Sequence, residues 1–337
     1  MNHRERVSLA LDVSIRVKRT PNRFGVEDYT DWHYGAKSRH EGMDMRTVRL
    51  ALAGVLGASL LTTASMTSGL AAQAASSSST LASCKNSIAA HEYTKGKLTV
   101  ATDTPAYTPW FISNMPSNGK GYESAVVYAI ARVLGVKKSN VKWVVEPFDN
   151  SYVPGVKKFD FDINEISYTA ARAKAVTFST SYYDVQQSIV ALKTNPIVTK
   201  HTAKELKSYL YGDQIGTTGL AYINGHIKPT KPARVYTTLD EAVAALQSKQ
   251  IDALVIDTPT GQYMASAQIL NTKKKAIATQ VGQFPSVGEH YGLLFSKGNP
   301  LVRCVNTAIA TLKSNGTLSA LQHRWLGIYV GVPVIKP

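Results

Sequence analysis

Apolar and polar positions along residues 97–326 follow periods that predict strands and helices in turn. Short apolar runs at Leu98–Ala101, Val141–Val145 and Phe161–Ile163 are typical of buried strands. Between the first two runs, Tyr122–Val136 carries apolar residues at helical spacing, which predicts a helix. The first half of this region therefore predicts strands and helices that alternate.

The second half of the region continues the alternation. Thr238 and Glu241 form a capping-box pattern, which predicts the start of a helix. The other predicted strands are Gln187–Leu192, Gln214–Ile215, Ile251–Ile256 and Tyr291–Phe295, and the predicted helices are Ala203–Leu210, Leu239–Ser248, Leu301–Lys313 and Leu318–Leu326. Because strands alternate with helices and no internal repeat is visible, the sequence predicts an α/β class with parallel sheets.

Polar and aromatic residues of the kinds that bind ligands recur just after the predicted strands. They are Asp103, Tyr107, Phe148, Glu165, Ser167, Arg172, Thr217, Thr218 and Asp257. In open α/β sheets, ligands bind beyond the carboxyl ends of the strands. The recurrence therefore predicts one site assembled from several loops.

Arg172 and Asp257 are the two charges on which this predicted site depends. A guanidinium presents a planar fork of donors that fits a carboxylate, and such charge-assisted bonds are about twice as strong as neutral ones. Together, a fixed cation and a fixed anion match a zwitterion. The candidate residues also have purely structural alternatives. Arg172 could be solvated, Asp257 could cap the turn at Pro259, Thr217–Thr218 could cap a helix, and the aromatic residues could belong to the core.

Composition and charge exclude several other classes. The chain has 337 residues, of which 44% are hydrophobic and 18% charged, as in globular proteins. Its net charge of +15 raises nucleic acid as a partner, but the basic residues are scattered and form no basic helix or metal-finger pattern. The sequence also shows no catalytic triad, metal-ligand cluster or phosphate loop. We therefore predict no nucleic-acid partner, no metal, no cofactor and no catalytic residue.

Residues 43–74 have the pattern of a secretory signal peptide. Arg46 and Arg49 precede an apolar run from Leu50 to Leu61, and a small-residue cleavage pattern follows. Because signal peptides begin at the start codon, we interpret residues 1–42 as a mis-assigned extension, with translation starting at Met43 or Met45. Residues 75–96 are predicted to be a linker, and the mature protein is predicted to be exported.

The two cysteines, Cys84 and Cys304, are predicted to form a disulfide, since an exported chain meets an oxidising compartment. The less favoured alternative is a lipid anchor on Cys84, because residues 81–84 resemble a lipidation motif. A polar tract separates that motif from the apolar run, whereas lipidation motifs follow such a run directly. The disulfide is therefore the preferred prediction.

Several short motifs, in this order and spacing, resemble the polar amino-acid-binding family of extracellular solute-binding proteins, the receptor component of ABC importers. The matching segments are residues 101–111, Gly121-Tyr122-Glu123, Ile166-Ser167-Tyr168-Thr169 with Arg172 and Phe178, Gly216-Thr217-Thr218, Ile251-Asp252-Ala253 with Asp257, and residues 297–301. The similarity extends over about Lys97 to Leu326.

The resemblance implies a type II, two-lobed Venus-flytrap fold like that of periplasmic binding proteins, with two hinge strands. The lobes would comprise residues 97–184 together with 291–337, and residues 188–282, with crossings near Asp184–Gln187 and Gly282–His290. The expected partners are a free L-amino acid, polar or basic, and the membrane subunits of an ABC permease. The chain itself is expected to be a monomer.

The resemblance also assigns roles to the candidate residues. Arg172 and the main-chain N–H of Thr218, beside Thr217, would bind the ligand carboxylate. Asp257, with Ser167 and the main-chain carbonyl of Glu165, would bind its ammonium group. Tyr107 and Phe148 would enclose the ligand side chain, with Asp103 near its tip. Glu165 departs from the family, in which many members carry serine or glycine there. As the alternative function, a dehydratase on the same fold would use Glu165 as an acid on a cyclic amino-acid precursor.

Overall fold

The computed structural model describes residues 83–84, 86–327 and 332–336. The predicted extension (residues 1–42), the signal peptide (residues 43–74) and residues 75–82 and 85 of the linker lie outside the described residues. Within the described part, residues 83–84 and 86–91 are helical, and we refer to residues 86–91 as α1. A search of the same part finds no helix with the length and apolar character needed to cross a bilayer.

Strands and helices alternate along the chain beyond α1. The strands are β1 (Leu98–Thr102), β2 (Val141–Val145), β3 (Phe161–Asp162), β4 (Val176–Phe178), β5 (Tyr183–Asp184), β6 (Gln187–Leu192), β7 (Gly212–Gln214), β8 (Arg234–Tyr236), β9 (Ala253–Asp257), β10 (Ala278–Gln283), β11 (His290–Tyr291) and β12 (Leu294–Ser296). The helices are α2 (Tyr122–Val133), α3 (Phe148–Ser151), α4 (Arg172–Ala175), α5 (Ala203–Leu206), α6 (Thr218–Tyr222), α7 (Leu239–Gln247), α8 (Thr258–Tyr263), α9 (Leu301–Ser314) and α10 (Thr317–Leu326).

A five-stranded sheet in the order β2-β1-β3-β12-β4 forms the centre of the first lobe. Strand β1 runs parallel to β2 and β3, whereas β12 runs antiparallel to β3 and β4. Every residue of β1 is buried, including Thr99 and Thr102. Helices α2, α9 and α10 pack on this sheet through apolar residues that include Val126, Ile130, Val305 and Leu318.

The second lobe contains a sheet in the order β10-β6-β9, with the parallel pair β7-β8 beside it. Both pairings of β6 are antiparallel. The prediction of parallel sheets throughout is therefore wrong for this sheet. The physical reason is the connectivity: β6 carries the chain into the second lobe and β10 carries it out, so the two strands run in opposite directions.

The capping box predicted in this lobe is confirmed. The Thr238 side chain accepts a hydrogen bond from the main-chain N–H of Glu241, whose own side chain bonds back to the start of α7. The buried face of α7 carries Leu239, Val243 and Leu246, which pack against β6 and β9. The local sequence alone was sufficient to predict this helix.

Strands β5 and β11 pair antiparallel and lie where the chain passes between the two lobes. The chain leaves the first sheet after β4 and enters the second at β6, and it leaves the second after β10 and rejoins the first at β12. The two-lobed fold with a pair of hinge strands is thus present. The residue boundaries assigned to the lobes from sequence remain a prediction.

Residues 332–336 belong with the second lobe, although the sequence led us to expect residues 291–337 in the first. Ile335 donates a backbone hydrogen bond to Gln283 at 2.8 Å, and Gln283 donates to Pro333 at 2.8 Å. The Ile335 side chain is 2% exposed and joins the core beneath β6 and β9. This short tail is an additional pairing on the edge of β10.

The predicted disulfide between Cys84 and Cys304 is confirmed, with Cα atoms 5.5 Å apart and 220 residues between them in sequence. It joins the segment before β1 to α9, on the first lobe. Both sulfur atoms are committed to this bond, so neither residue is a free thiol.

Candidate functional site

A cleft between the two lobes collects most of the residues predicted to bind a ligand. Eight of the nine predicted residues line it: Asp103, Tyr107, Phe148, Glu165, Arg172, Thr217, Thr218 and Asp257. Further lining residues are Pro105, Asn164, Gln187, Asp213, Gln214, Gly219, Leu239, Val255, Ile256 and Thr260. The cavity measures about 80 Å³. Sites for drug-sized molecules measure roughly 300–1,000 Å³, so this cleft is small and suits a ligand well below that size.

Arg172 forms one end of the cleft. It opens the short helix α4 and is 8% exposed. Its guanidinium donates to the carbonyl oxygens of Ser167 at 2.6 Å and Gly216 at 2.8 Å. It also lies over the rings of Tyr152 and Phe148, at 4.7 and 5.4 Å. Arginine has five N–H donors, so this arrangement holds the group in place while leaving donors for an anion.

Backbone geometry at Gly216 brings the two lobes together beside Arg172. Its φ is +75°, a left-handed conformation that favours glycine, and a Cβ atom there would lie 2.2 Å from the Tyr152 hydroxyl. Glycine is therefore required by both conformation and space. Tyr152, which was not identified from the sequence, shapes this end of the cleft from the first lobe.

Thr217 and Thr218 begin helix α6. The Thr217 hydroxyl caps the helix by accepting from the main-chain N–H of Leu220 at 3.1 Å, so its side chain has the structural role that the alternative predicted. The first N–H groups of a helix have no partner within the helix. Thr218 lines the cleft, so the capping and anion-binding interpretations are compatible.

Asp257, the last residue of β9, also lines the cleft, and we refer to Asp257, Glu165 and Glu123 together as the carboxylate end. Its Oδ1 accepts from the side-chain amide of Gln187 at 2.6 Å. It makes no side-chain capping bond to α8, so the alternative of a turn cap at Pro259 is wrong. Burial, followed by the charge of Glu289, raises the pKa of Asp257 to about 7. A nearby ligand cation would favour its ionised form.

Glu165 lies beside Asp257, and its side chain is held from both lobes. Its φ of +52° is in the left-handed region, which is uncommon for residues other than glycine. Its Oε2 accepts from the Thr260 hydroxyl at 2.6 Å, and Thr260 Oγ1 accepts in turn from the indole N–H of Trp110 at 2.6 Å. Burial, then the charges of Glu123 and Asp257, raises the pKa of Glu165 well above its usual value.

Glu123 is a buried carboxylate behind Glu165 for which the sequence predicted no role. Its Oε1 accepts from the main-chain N–H of Glu165 at 2.8 Å and from the hydroxyl of Tyr182. Burial raises the pKa of Glu123 to about 7. It fixes the backbone of Glu165 and adds negative charge to this end of the cleft.

The remaining predicted residues occupy the rim and the rear. The Tyr107 hydroxyl donates to Asp240 of α7 at 2.9 Å, across the cleft. Asp103 accepts from the main-chain N–H of Phe148 at 3.2 Å. Ser167 is the predicted residue that does not line the cleft; it is 1% exposed and donates to Glu289 at 2.6 Å. Glu289 was not identified from the sequence.

The hydrogen bonds Tyr107–Asp240, Trp110–Thr260 and Arg172–Gly216 all connect the first lobe to the second. The lobes are therefore in contact and the cleft is closed. The described residues include no cluster of three or more His, Cys, Asp or Glu side chains with the geometry of a metal site.

The fold and cleft are those of an extracellular solute receptor, and comparison with known proteins gives the same class. Residues 98–328 match the bacterial extracellular solute-binding proteins, family 3, and the chain belongs to this family. It is 26% identical over 226 residues to the L-cystine-binding protein TcyJ of Escherichia coli (strain K12), covering 66% of this chain and 79% of that protein.

Two solved structures extend the comparison. An ancestral arginine-binding protein bound to arginine is 28% identical, with a TM-score of 0.55, covering 69% of this chain and 99% of that one. The ancestral amino acid-binding protein AncCDT-1, a precursor of cyclohexadienyl dehydratase, is 28% identical, with a TM-score of 0.55, covering 68% and 95%. The cystine- and arginine-binding relatives are named as binding proteins, in agreement with the prediction that this chain is not an enzyme.

Proposed function

We propose that this protein is the extracytoplasmic substrate-binding component of an ABC transporter, and that it binds an L-amino acid with a basic side chain. The observation that carries the proposal is the charge distribution of the cleft. One buried cation, Arg172, lines the cleft together with four carboxyl groups, those of Asp257, Glu165, Asp103 and Asp213. A zwitterion satisfies Arg172 and Asp257, and a cationic side chain offsets the remaining carboxylates.

The proposal agrees with the relatives, which include proteins that bind arginine and cystine. Sugars and simple anions fit this cleft poorly, because either would leave a buried charge unpaired, and such charges are costly. The proposal includes delivery of the bound amino acid to a membrane permease, and membership of the solute-binding family supports it.

A thermal-shift screen of the refolded, ligand-stripped protein tests the proposal. The probes are L-arginine, L-lysine, L-histidine, L-glutamine and L-cystine, with D-arginine as the stereochemical control. A ligand present at 100 times its dissociation constant adds about 2.7 kcal/mol of stability. We expect L-arginine or L-lysine to give the largest increase in Tm. Equal shifts for D- and L-arginine, or none for any L-amino acid, would contradict the proposed site.

A second candidate function is a dehydratase-type reaction on a cyclic amino-acid precursor. The observation that favours it is Glu165, a buried carboxyl whose pKa is raised well above its usual value and which could therefore donate a proton. Incubation with prephenate or arogenate, followed by product analysis, separates the two functions. Binding without product supports the receptor, whereas turnover that is lost in Glu165→Gln supports the enzyme.

A further inference from the structure

Glu289 lies in the return crossing, directly before β11, and next to the outgoing crossing. Its carbonyl oxygen accepts from the main-chain N–H of Val185 at 3.0 Å, so the two crossing segments are joined at this point. Glu289 itself is half-buried. It does not line the cleft, but its carboxylate contacts residues on both sides of it.

The Glu289 carboxylate connects Ser167 of the first lobe to Gln187 of the second lobe, which contacts Asp257. Its Oε1 accepts from the Ser167 hydroxyl at 2.6 Å. Both of its oxygens also accept from the side-chain nitrogen of Gln187, at 3.3 and 3.1 Å. That same nitrogen donates to Asp257 at 2.6 Å, so a single amide group links the two carboxylates.

This network determines which way the Gln187 amide faces. A carboxylate can only accept, so two carboxylates on one side require the nitrogen to face them. The carbonyl oxygen of Gln187 therefore faces the other way, and it is buried without a hydrogen-bond partner among the described residues. Gln187 is 3% exposed and lines the cleft. This oxygen has no accessible surface and does not open to the cleft, so Gln187 acts on the site through its nitrogen, which holds Asp257.

We propose that Glu289 is a positioning residue for the ligand's α-ammonium group, because it holds the Gln187 amide that donates to Asp257 and so fixes the Asp257 carboxylate that accepts from that group. The inference rests on the proposed function, since it requires an amino-acid ligand. An ammonium group carries three N–H donors and a positive charge, which fits the Asp257 carboxylate. The bond from Ser167 ties the same arrangement to the first lobe, so the Asp257 carboxylate is aligned when the cleft is closed.

Two ligands that differ only in the α-ammonium group isolate this role. Calorimetry compares L-arginine with its des-α-amino analogue on the parent protein and on Glu289→Ala. In Glu289→Ala, we expect affinity for L-arginine to fall about ten- to a hundredfold. The analogue lacks the ammonium group, so its affinity should stay within about threefold. A purely structural role would weaken both ligands equally.

Two further variants control for charge and folding. Asp184→Asn removes an acid from the paired hinge strand β5, where its side chain bonds to Ser181 at 2.9 Å, and it should leave both affinities unchanged. Glu289→Gln keeps the size of the side chain, and should weaken L-arginine about fivefold or more with little effect on the analogue. If Glu289→Ala does not fold, Glu289→Gln is used as the test variant instead.

The pH dependence of L-arginine binding gives a second measurement. It would not change if Glu289 had a purely structural role. Asp257 is surrounded by charged and titratable groups on several elements, namely Glu289, Tyr291, Arg172, Glu165, Glu123, Asp213 and Tyr183. Of these, Glu289 is the largest neighbouring charge that raises the pKa of Asp257. In Glu289→Gln, the midpoint of the pH dependence of L-arginine binding should therefore move to lower pH.

The outcomes separate this inference from the proposed function. If the parent binds no amino acid, both fall. If the parent binds L-arginine but Glu289→Ala and Glu289→Gln weaken L-arginine and the analogue equally, or neither, the role of Glu289 is wrong and the proposed function stands. A loss confined to L-arginine supports both.

Discussion

The two ends of the cleft recognise charge in different ways. At the Arg172 end, a single cation is held by two carbonyl oxygens and two aromatic rings. At the other end, Glu123, Glu165 and Asp257 are buried close together, and their bonds come from hydroxyl, amide and main-chain donors rather than from a cation. Arg172 is thus held in place with donors left for a ligand, whereas the clustered acids have raised pKa values and become fully ionised only when a cation is brought to them.

Protonation makes this difference measurable. Burial raises the pKa of both Asp257 and Glu123 to about 7, while Arg172 remains a cation because arginine does not lose its proton in proteins. The carboxylate end therefore changes charge near neutral pH and the arginine end does not. The predictions below test this contrast, from the largest expected effect on ligand affinity to the smallest. The pH dependence of stability is placed beside the pH dependence of binding.

Removal of Arg172 should have the largest effect. In Arg172→Ala, the ligand carboxylate would be buried without its cation, and truncation of one partner of a buried charge pair costs about 2–5 kcal/mol or more. We expect affinity for L-arginine, measured by calorimetry, to fall about thirty- to several-thousandfold. Arg324→Ala is the matched control, because Arg324 stacks on Trp325 of α10 and does not line the cleft. Affinity within threefold of the parent in Arg172→Ala would place the anion site elsewhere.

The sequence was sufficient to predict this end of the cleft. Arg172 and the threonines follow strands whose apolar pattern is local, so their place at the sheet edge could be predicted without tertiary information. Asp257 was identified for the same reason. The alternatives at these positions were decided by geometry: Thr217 does cap its helix, whereas Asp257 does not cap α8.

The carboxylate end depends on contacts that no local pattern reveals. Glu165 accepts from Thr260, which is 95 residues away in sequence, and Ser167 donates to Glu289, which is 122 residues away. The left-handed backbone at Glu165 is consistent with the small residues that the family resemblance leads one to expect there. Strands β8 and β10 were also missed, because exposed or polar residues interrupt their apolar patterns.

Lowering the pH should weaken binding through the carboxylate end. Ligand binding requires ionised Asp257, so affinity for L-arginine should fall as the pH drops below about 7, by up to about tenfold per pH unit for one coupled proton. Calorimetry from pH 8 to pH 5.5 measures the slope. In Asp257→Asn, affinity should be low and the slope should flatten. An unchanged slope in that variant would assign the titration to another group.

The stability of the ligand-free protein should change with pH in the opposite direction. The folded-state pKa values of Asp257 and Glu123 are raised, so the stability that these groups contribute is present at low pH and is lost as the pH rises through about 7. We therefore expect Glu123→Gln to lower the Tm of the ligand-free protein, relative to the parent, by more at pH 5 than at pH 8.

Glu165→Gln should change selectivity more than overall affinity. The substitution removes one negative charge and keeps the shape of the side chain, so a cationic ligand loses a favourable interaction and a neutral ligand does not. We expect the ratio of L-arginine to L-glutamine affinity to fall about tenfold, a change of about 1.4 kcal/mol. Parallel titrations of both ligands measure the ratio, and an unchanged ratio would mean that Glu165 stays protonated when the ligand is bound.

Substitution of the buried residue in the C-terminal tail should lower the stability of the protein and have the smallest effect on ligand affinity. Ile335 is buried against the second lobe, whereas its neighbour Val334 is 54% exposed. Truncation of a buried isoleucine to alanine typically costs about 2–5 kcal/mol, and an exposed substitution changes stability by about 0.5 kcal/mol or less. Thermal unfolding should therefore show a clear fall in Tm for Ile335→Ala and almost none for Val334→Ala. Neither Ile335 nor Val334 lines the cleft, so both variants should bind L-arginine within threefold of the parent. A selective loss of affinity in Ile335→Ala would show that the tail helps to hold the lobes closed, and the two charged ends would then not be the whole account of binding.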